Sequence, residues 1–216
     1  MSRIVVVESV TLDGVMQAPG RPDEDPRDGF EHGGWAAPYT DEVMGREMGK
    51  GMAQRAGLLL GRRTYESLYA YWPKQPEDSN PYTAVLNNVQ KYVASRTLTE
   101  PLPWMNSTLL EGDAIAAVGR LKEQPGGPIV VLGSGELVEA LQRHDLVDEY
   151  VLLIHPLVLG SGRRLFPDGS SLARLRLTDA VTTTTGVVIG TYQPTRSTGS
   201  TGPDDSSGLE GEERAP

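Results

Sequence analysis

Residues 129–141 read Ile129-Val130-Val131-Leu132-Gly133-Ser134-Gly135-Glu136-Leu137-Val138-Glu139-Ala140-Leu141. Four consecutive apolar residues are what a strand buried on both faces of a sheet requires, and Leu137, Val138 and Leu141 then recur at helical spacing. Strand, glycine turn and helix, in that order, is a phosphate-binding layout. Backbone N–H groups at the helix start point beyond the carboxyl end of the strand, where an anion can be held. Gly133 and Gly135 match the first two glycines of the dinucleotide fingerprint, with Val138 where the third belongs. Taken alone, the pair makes either a tight turn or a phosphate cradle.

Working outward, the same pattern recurs. Leu58-Leu59-Leu60 is a second buried strand that runs through Gly61 into a helix beginning Arg62-Arg63-Thr64, and Pro73 ends that helix. Two arginines at a helix start oppose the macrodipole, which favours an anion there over a merely exposed basic turn. Ile4-Val5-Val6-Val7 is a third apolar run and belongs at the centre of the sheet. The stretch from Thr11 to about Pro38 is a long loop, a length usually reserved for function. Thr40 caps a helix whose Met44, Met48 and Met52 form a stripe that reads as core.

The segment from Pro73 to about Lys91 reads as loop with one helical turn at most. Lys91 to Ser95 and Ser107 to Leu110 are short strands, and Gly112-Asp113 opens a helix carrying Ile115, Val118 and Leu121. Tyr150 to Ile154 is a further buried strand. Leu172 to Thr183 and Val187 to Gln193 form an antiparallel hairpin around Gly186. A glycine turn directly after the first strand is missing, which disfavours a Rossmann domain.

The chain has 216 residues, no cysteine and a formal charge of −9. Absence of cysteine removes thiol nucleophiles, cysteine zinc sites and disulfides, and makes the cytoplasm the expected compartment. No run of about 18 apolar residues suggests a membrane span, and no basic surface suggests nucleic-acid binding. Residues 197–216 carry five acids and one arginine with almost no aliphatic side chains; a disordered acidic tail is expected there, behind a domain of residues 1–196. His32, His144 and His155 are too scattered for a metal site or a triad, and GxSxG, Walker A and HExxH patterns are absent. His155, just before Pro156, reads as structural.

Four segments, taken in order, resemble a known family: the opening strand with Thr11-Leu12-Asp13-Gly14, then Leu60-Gly61-Arg62-Arg63-Thr64-Tyr65-Glu66, then Val131-Leu132-Gly133-Ser134-Gly135, then Pro156-Leu157-Val158-Leu159-Gly160-Ser161-Gly162. They are similar to the dihydrofolate-reductase-like fold, more closely to the reductase domain of riboflavin biosynthesis (the RibD C-terminal domain) and its stand-alone relatives. The resemblance implies an α/β protein of three layers, with a mixed, mostly parallel sheet and an antiparallel C-terminal hairpin. It also implies an NADPH-dependent reductase of a small, heterocyclic C=N or C=O substrate, and a homodimer.

On that resemblance, Gly61, Arg62, Arg63 and Thr64 hold the pyrophosphate of NADPH from one side and Gly133, Ser134, Gly135, Glu136 and Leu137 from the other. Ser95 and Arg96 meet the adenosine 2′-phosphate, and Ser9, Met16 and Gln17 line the nicotinamide, with Asp13 shaping the loop. For the substrate, Asp41 is the one group loosely comparable to the pterin-binding carboxylate, its other reading being an ordinary first-turn acid. Trp35 either stacks on a flat heterocycle or anchors its loop on the core. No acid stands out as proton donor. A protein that binds a nucleotide or small ligand without turnover is the alternative to the enzyme.

Overall fold

The structure, a computed structural model, describes residues 1–77 and 80–195. The expected tail at 197–216 lies outside them. In chain order the elements are β1 (Ile4–Thr11), α1 (Glu42–Ala53), β2 (Gly57–Gly61), α2 (Arg62–Tyr71), α3 (Pro81–Asn88), β3 (Lys91–Ala94), β4 (Ser107–Leu109), α4 (Ala114–Glu123), β5 (Ile129–Leu132), α5 (Gly135–Arg143), β6 (Glu149–His155), β7 (Leu175–Thr182) and β8 (Val188–Pro194). The eight strands form one sheet in the order β4-β3-β2-β5-β1-β6-β8-β7. Pairings from β4 through to β6 are parallel, while β8 runs antiparallel to β6 and β7 antiparallel to β8. This is the dihydrofolate-reductase-like arrangement, with β1 in the interior of the sheet as its apolar run requires.

Strand alternation divides the core into two sides. Leu59 and Val131 pack with Val6 and Val10 beneath α4 and α5, whose Val118, Leu121, Leu137, Val138 and Leu141 are all buried. Leu58, Leu60 and Val130 face the other way, toward Tyr65 of α2, Leu86 of α3 and Trp104. Burying aliphatic side chains of this size stabilises by about 1.5–3 kcal/mol each. Further along that second side, Met44 and Met48 of α1 pack on Leu153, Val187 and Ile189, so the methionine stripe is core where it is described.

Three sequence expectations are corrected. The stretch before Lys91 holds a full helix, α3, where a loop was expected; its signal was Asn80, whose side chain accepts from Tyr82 N–H, followed by Pro81 at the first helical position. The cap of α1 is Asp41 rather than Thr40, its carboxylate accepting from Met44 N–H at 2.8 Å. The hairpin begins at Leu175, because Leu172 lies outside the ladder and is exposed.

Candidate active site

The carboxyl ends of β1, β2, β3 and β5 open onto one cleft of about 1620 Å³. The two glycine turns anticipated from sequence meet there as one structure. Ser134 Oγ accepts from Gly61 N–H at 2.8 Å and shares a 2.7 Å hydrogen bond with Thr64 Oγ1. The approach is close enough to dictate residue type: a Cβ on Gly61 would lie 2.6 Å from Ser134 Oγ, and one on Gly133, at φ +62°, 2.9 Å from Thr64 Cγ2. These glycines therefore let the turns reach each other. Ser134 itself is left-handed, at φ 66° and ψ 60°, which projects its hydroxyl sideways into β2 instead of onto its own helix.

That geometry leaves both helix starts open. Side chains cap α1, α3 and α4 through Asp41, Asn80 and Asp113, whereas α2 and α5, the two helices that begin at the cleft, have no side-chain cap. Their first-turn N–H groups are available to an anion. The basic residues lining the cleft, Arg27, Arg62, Arg63, Arg96, Arg163 and Arg164, are all arginines, the side chain whose planar fork suits phosphate oxygens. Several sit against carboxylates: Arg62 on Glu66 at 2.9 Å, and Arg63 and Arg163 on the exposed Glu136 at 3.9 and 3.6 Å. Exposed pairs of this kind are weak, so an incoming phosphate can take the arginines from them.

Ser9, Met16, Gln17, Ser95 and Arg96 also line this cleft. Ser95 Oγ accepts from Thr97 and Leu98 N–H, which turns the chain after β3 and presents Arg96 to solvent. Gln17 is buried and its amide is already engaged: Nε2 donates to the carbonyls of Asp25 and Arg27, and Oε1 accepts from Arg163 N–H. Asp13 accepts from Leu159 and Gly160 N–H and from Thr11 Oγ1, tying the 156–162 segment to the turn after β1, a loop-shaping role.

The two residues expected at the substrate are placed elsewhere, and neither lines the cleft. Asp41 holds Met44 N–H with one oxygen and the backbone N–H groups of Thr184 and Thr185 and the Thr184 hydroxyl with the other. These hydrogen bonds, led by that from Met44, hold its carboxyl down to about 2. It is a helix cap and a clamp on the hairpin. Trp35 is buried, donates its indole N–H to the Gln17 carbonyl at 2.7 Å and meets His155 edge to face, so it anchors the loop. His155 is buried in the same group, consistent with a structural role.

Cleft residues that the sequence reading misses include Glu8, Arg27, Arg163 and Arg164. The arginine pair directly after Gly162 was legible as a second basic turn. Glu8 is 5% exposed and lines the cleft from β1. Burial raises its carboxyl from 4.5 to about 8, against the opposing pull of the Gly133 N–H. Among the described residues no cluster of histidine and carboxylates is arranged to hold a metal ion, and no helix is long and apolar enough to cross a membrane.

Residues 3–189 match the family model of the RibD C-terminal domain. The uncharacterized protein YyaP of Bacillus subtilis (strain 168) is 33% identical over 136 residues, which span 61% of this chain and 70% of that protein. Of solved structures, a provisionally assigned riboflavin biosynthesis protein from Shewanella sp. PV-4 superposes with a TM-score of 0.64 at 20% identity, over 90% of this chain and 99% of that one. Dihydrofolate reductase of Enterococcus faecalis, in complex with NADP(H) and RAB-propyl, superposes with a TM-score of 0.56 at 14% identity, over 90% of this chain and 97% of that one. At these identities the structural likeness speaks to the fold.

Proposed function

The chain belongs to the RibD C-terminal domain family, and from that premise we propose that it is an NADPH-dependent reductase of a small heterocyclic C=N or C=O compound. The observation that carries the reading is the pair of uncapped helix starts, α2 and α5, locked side by side by Ser134 at the rim of an arginine-lined cleft. A dinucleotide pyrophosphate matches that wall in charge and donor geometry. The cofactor, when bound, supplies hydride; the chain orients it and keeps water out.

In this reading Gly61, Arg62, Arg63 and Thr64 face the pyrophosphate from α2, and Gly133 to Leu137 face it from α5. Arg96 binds the 2′-phosphate, beside the turn made by Ser95. Ser9 and Met16 border the nicotinamide, and Gln17 keeps the wall around it in shape. A cytoplasmic homodimer is part of the same proposal.

Thermal shift with NADPH and NADH tests it. Ligand at about 100 times its dissociation constant adds about 2.7 kcal/mol, which for a domain of this size raises Tm by roughly 5–10 °C. Stabilisation by NADPH, followed by its oxidation in the presence of a member of a pterin, pyrimidine and carbonyl panel, supports the reading. No stabilisation by either cofactor overturns it, and tight NADPH binding without oxidation of any panel member favours a binding protein.

A further inference from the structure

We propose that Glu8 is the acid of this cleft, donating the proton that the substrate heteroatom takes up as hydride reaches the adjacent carbon. The inference rests on the reductase reading above. Glu8 stands between Val6 and Val10 on the face of β1 covered by α5, where both valines and Leu137 are buried. Amid these apolar neighbours its carboxyl lies near the Gly133 N–H, at the turn that starts α5, whose pull opposes the effect of burial. The oxygen Oε1 is buried and has no hydrogen-bond partner. Buried polar atoms are nearly always paired, so an unpaired carboxyl oxygen on a cleft wall marks a group suited to meet a polar atom of a substrate.

The charges around Glu8 favour its neutral form. Glu24, from the loop after β1, pushes the carboxyl up in the same direction as burial. Its partner strand β6 brings the uncharged Leu152 opposite it, and β5 ends there in the Gly133 N–H. Of the arginines that share the cleft, five sit on other carboxylates, Arg27 on Asp25, Arg62 on Glu66, Arg63 and Arg163 on Glu136, and Arg164 on Asp13, while Arg96 is exposed to solvent at the turn after β3. With its carboxyl raised to about 8, Glu8 carries its proton at neutral pH. Asp41, the other carboxylate considered for this task, is held ionised by its hydrogen bonds away from the cleft.

The step balances. Hydride from the reduced nicotinamide forms the new C–H bond, and the π electrons of the C=N or C=O bond pass to the heteroatom. That atom takes the Glu8 proton, and the carboxylate left behind is reprotonated from water while the cofactor leaves oxidised. Ser9, the next residue of the strand, borders the nicotinamide in this reading and lines the same cleft as Glu8.

The test combines carbon-13 NMR of glutamate-labelled protein with the variant Glu8→Gln. In the unmodified protein the Glu8 carboxyl should titrate near 8 and change its signal when NADP⁺ saturates the cleft. Glu8→Gln should bind NADPH with unchanged affinity, lose roughly 100-fold or more in hydride-transfer rate and lose the fall in rate above pH 8. Titration of Glu8 in the ordinary carboxylate range, an unmoved signal under bound NADP⁺, or a variant with the parent's hydride rate overturns the assignment. Failure of the unmodified protein to bind either cofactor overturns the reductase reading first and is recognisable in the same titration. The NMR measurement decides even if Glu8→Gln does not fold.

Discussion

Ser134→Ala is the most direct perturbation of the proposed anion wall. Removing the hydroxyl deprives Gly61 N–H of its 2.8 Å acceptor and Thr64 Oγ1 of its 2.7 Å partner. A lost intramolecular hydrogen bond costs about 0.5–1.5 kcal/mol, and more where the abandoned group stays dry. Gly61 and Thr64 are only half-buried, so water replaces part of the loss and about 1–2 kcal/mol is the expected sum. For a domain of this size that corresponds to a Tm lower by roughly 2–8 °C. Ser134→Gly also removes the hydroxyl but relieves a non-glycine residue of its left-handed conformation, φ 66°, and should recover about 1 kcal/mol of the deficit. The two variants thus separate the hydrogen bonds from the backbone. Both should weaken NADPH, because the two helix starts no longer hold a fixed spacing. Chemical denaturation alongside fluorescence titration with NADPH provides both readouts. Ser134→Ala with parental stability and parental NADPH affinity refutes the view that this hydroxyl assembles the site.

Arg96→Ala should raise the NADPH dissociation constant about tenfold or more, from loss of a charged hydrogen bond of about 1.5–3 kcal/mol, and leave NADH unchanged; equal losses for both cofactors would remove Arg96 from the 2′-phosphate. Asp41→Ala should lower Tm by several degrees at pH 7 without altering NADPH affinity, since its carboxylate caps α1 and clamps Thr184 and Thr185. The native carboxyl lies at about 2, below its unfolded value of 3.8. The stabilisation is therefore complete above that unfolded value and lost as pH falls through about 2, so parent and variant should draw together in acid; a gap as wide near pH 2 as at pH 7 contradicts this. Lys91→Met should cost about 2–3 kcal/mol in urea denaturation, because the buried ammonium donates to the carbonyls of Asn87, Val89 and Met105, which it leaves without that donor.

What the sequence revealed follows from how local each signal is. The runs 58–60 and 129–132 and the helix positions Leu137, Val138 and Leu141 announce themselves within a dozen residues, and they are buried as expected apart from Leu132, which is half-buried at the cleft. Helix α3 was obscured because Asn87 and Asn88 dilute its apolar period, and its start is marked only by the Asn80-Pro81 cap. Glu8 was illegible for a different reason. A single acid near the end of an apolar strand looks like a solvent-facing residue, and only the turn at Gly133, far along the chain, encloses it. Asp41 and Trp35 were readable as residue types suited to a substrate, yet each also had a structural reading. The partners that decided between these, Thr184 and Thr185 for the acid and the Gln17 carbonyl for the indole, are contacts that spacing does not reveal.

Gln17 gives the long loop after β1 an unexpected mechanical character. One side-chain amide donates to the backbone carbonyls of Asp25 and Arg27 and accepts from Arg163 N–H, while the backbone carbonyl of the same residue accepts from the Trp35 indole N–H. A segment bolted at its centre in this way does not behave as a flap. The entropy of ordering it is lost when the chain folds, so a ligand entering the cleft does not have to supply that cost again. Encounter should then resemble a key entering a cut lock: a single kinetic phase whose observed rate rises linearly with ligand concentration, with no slow closing step behind it.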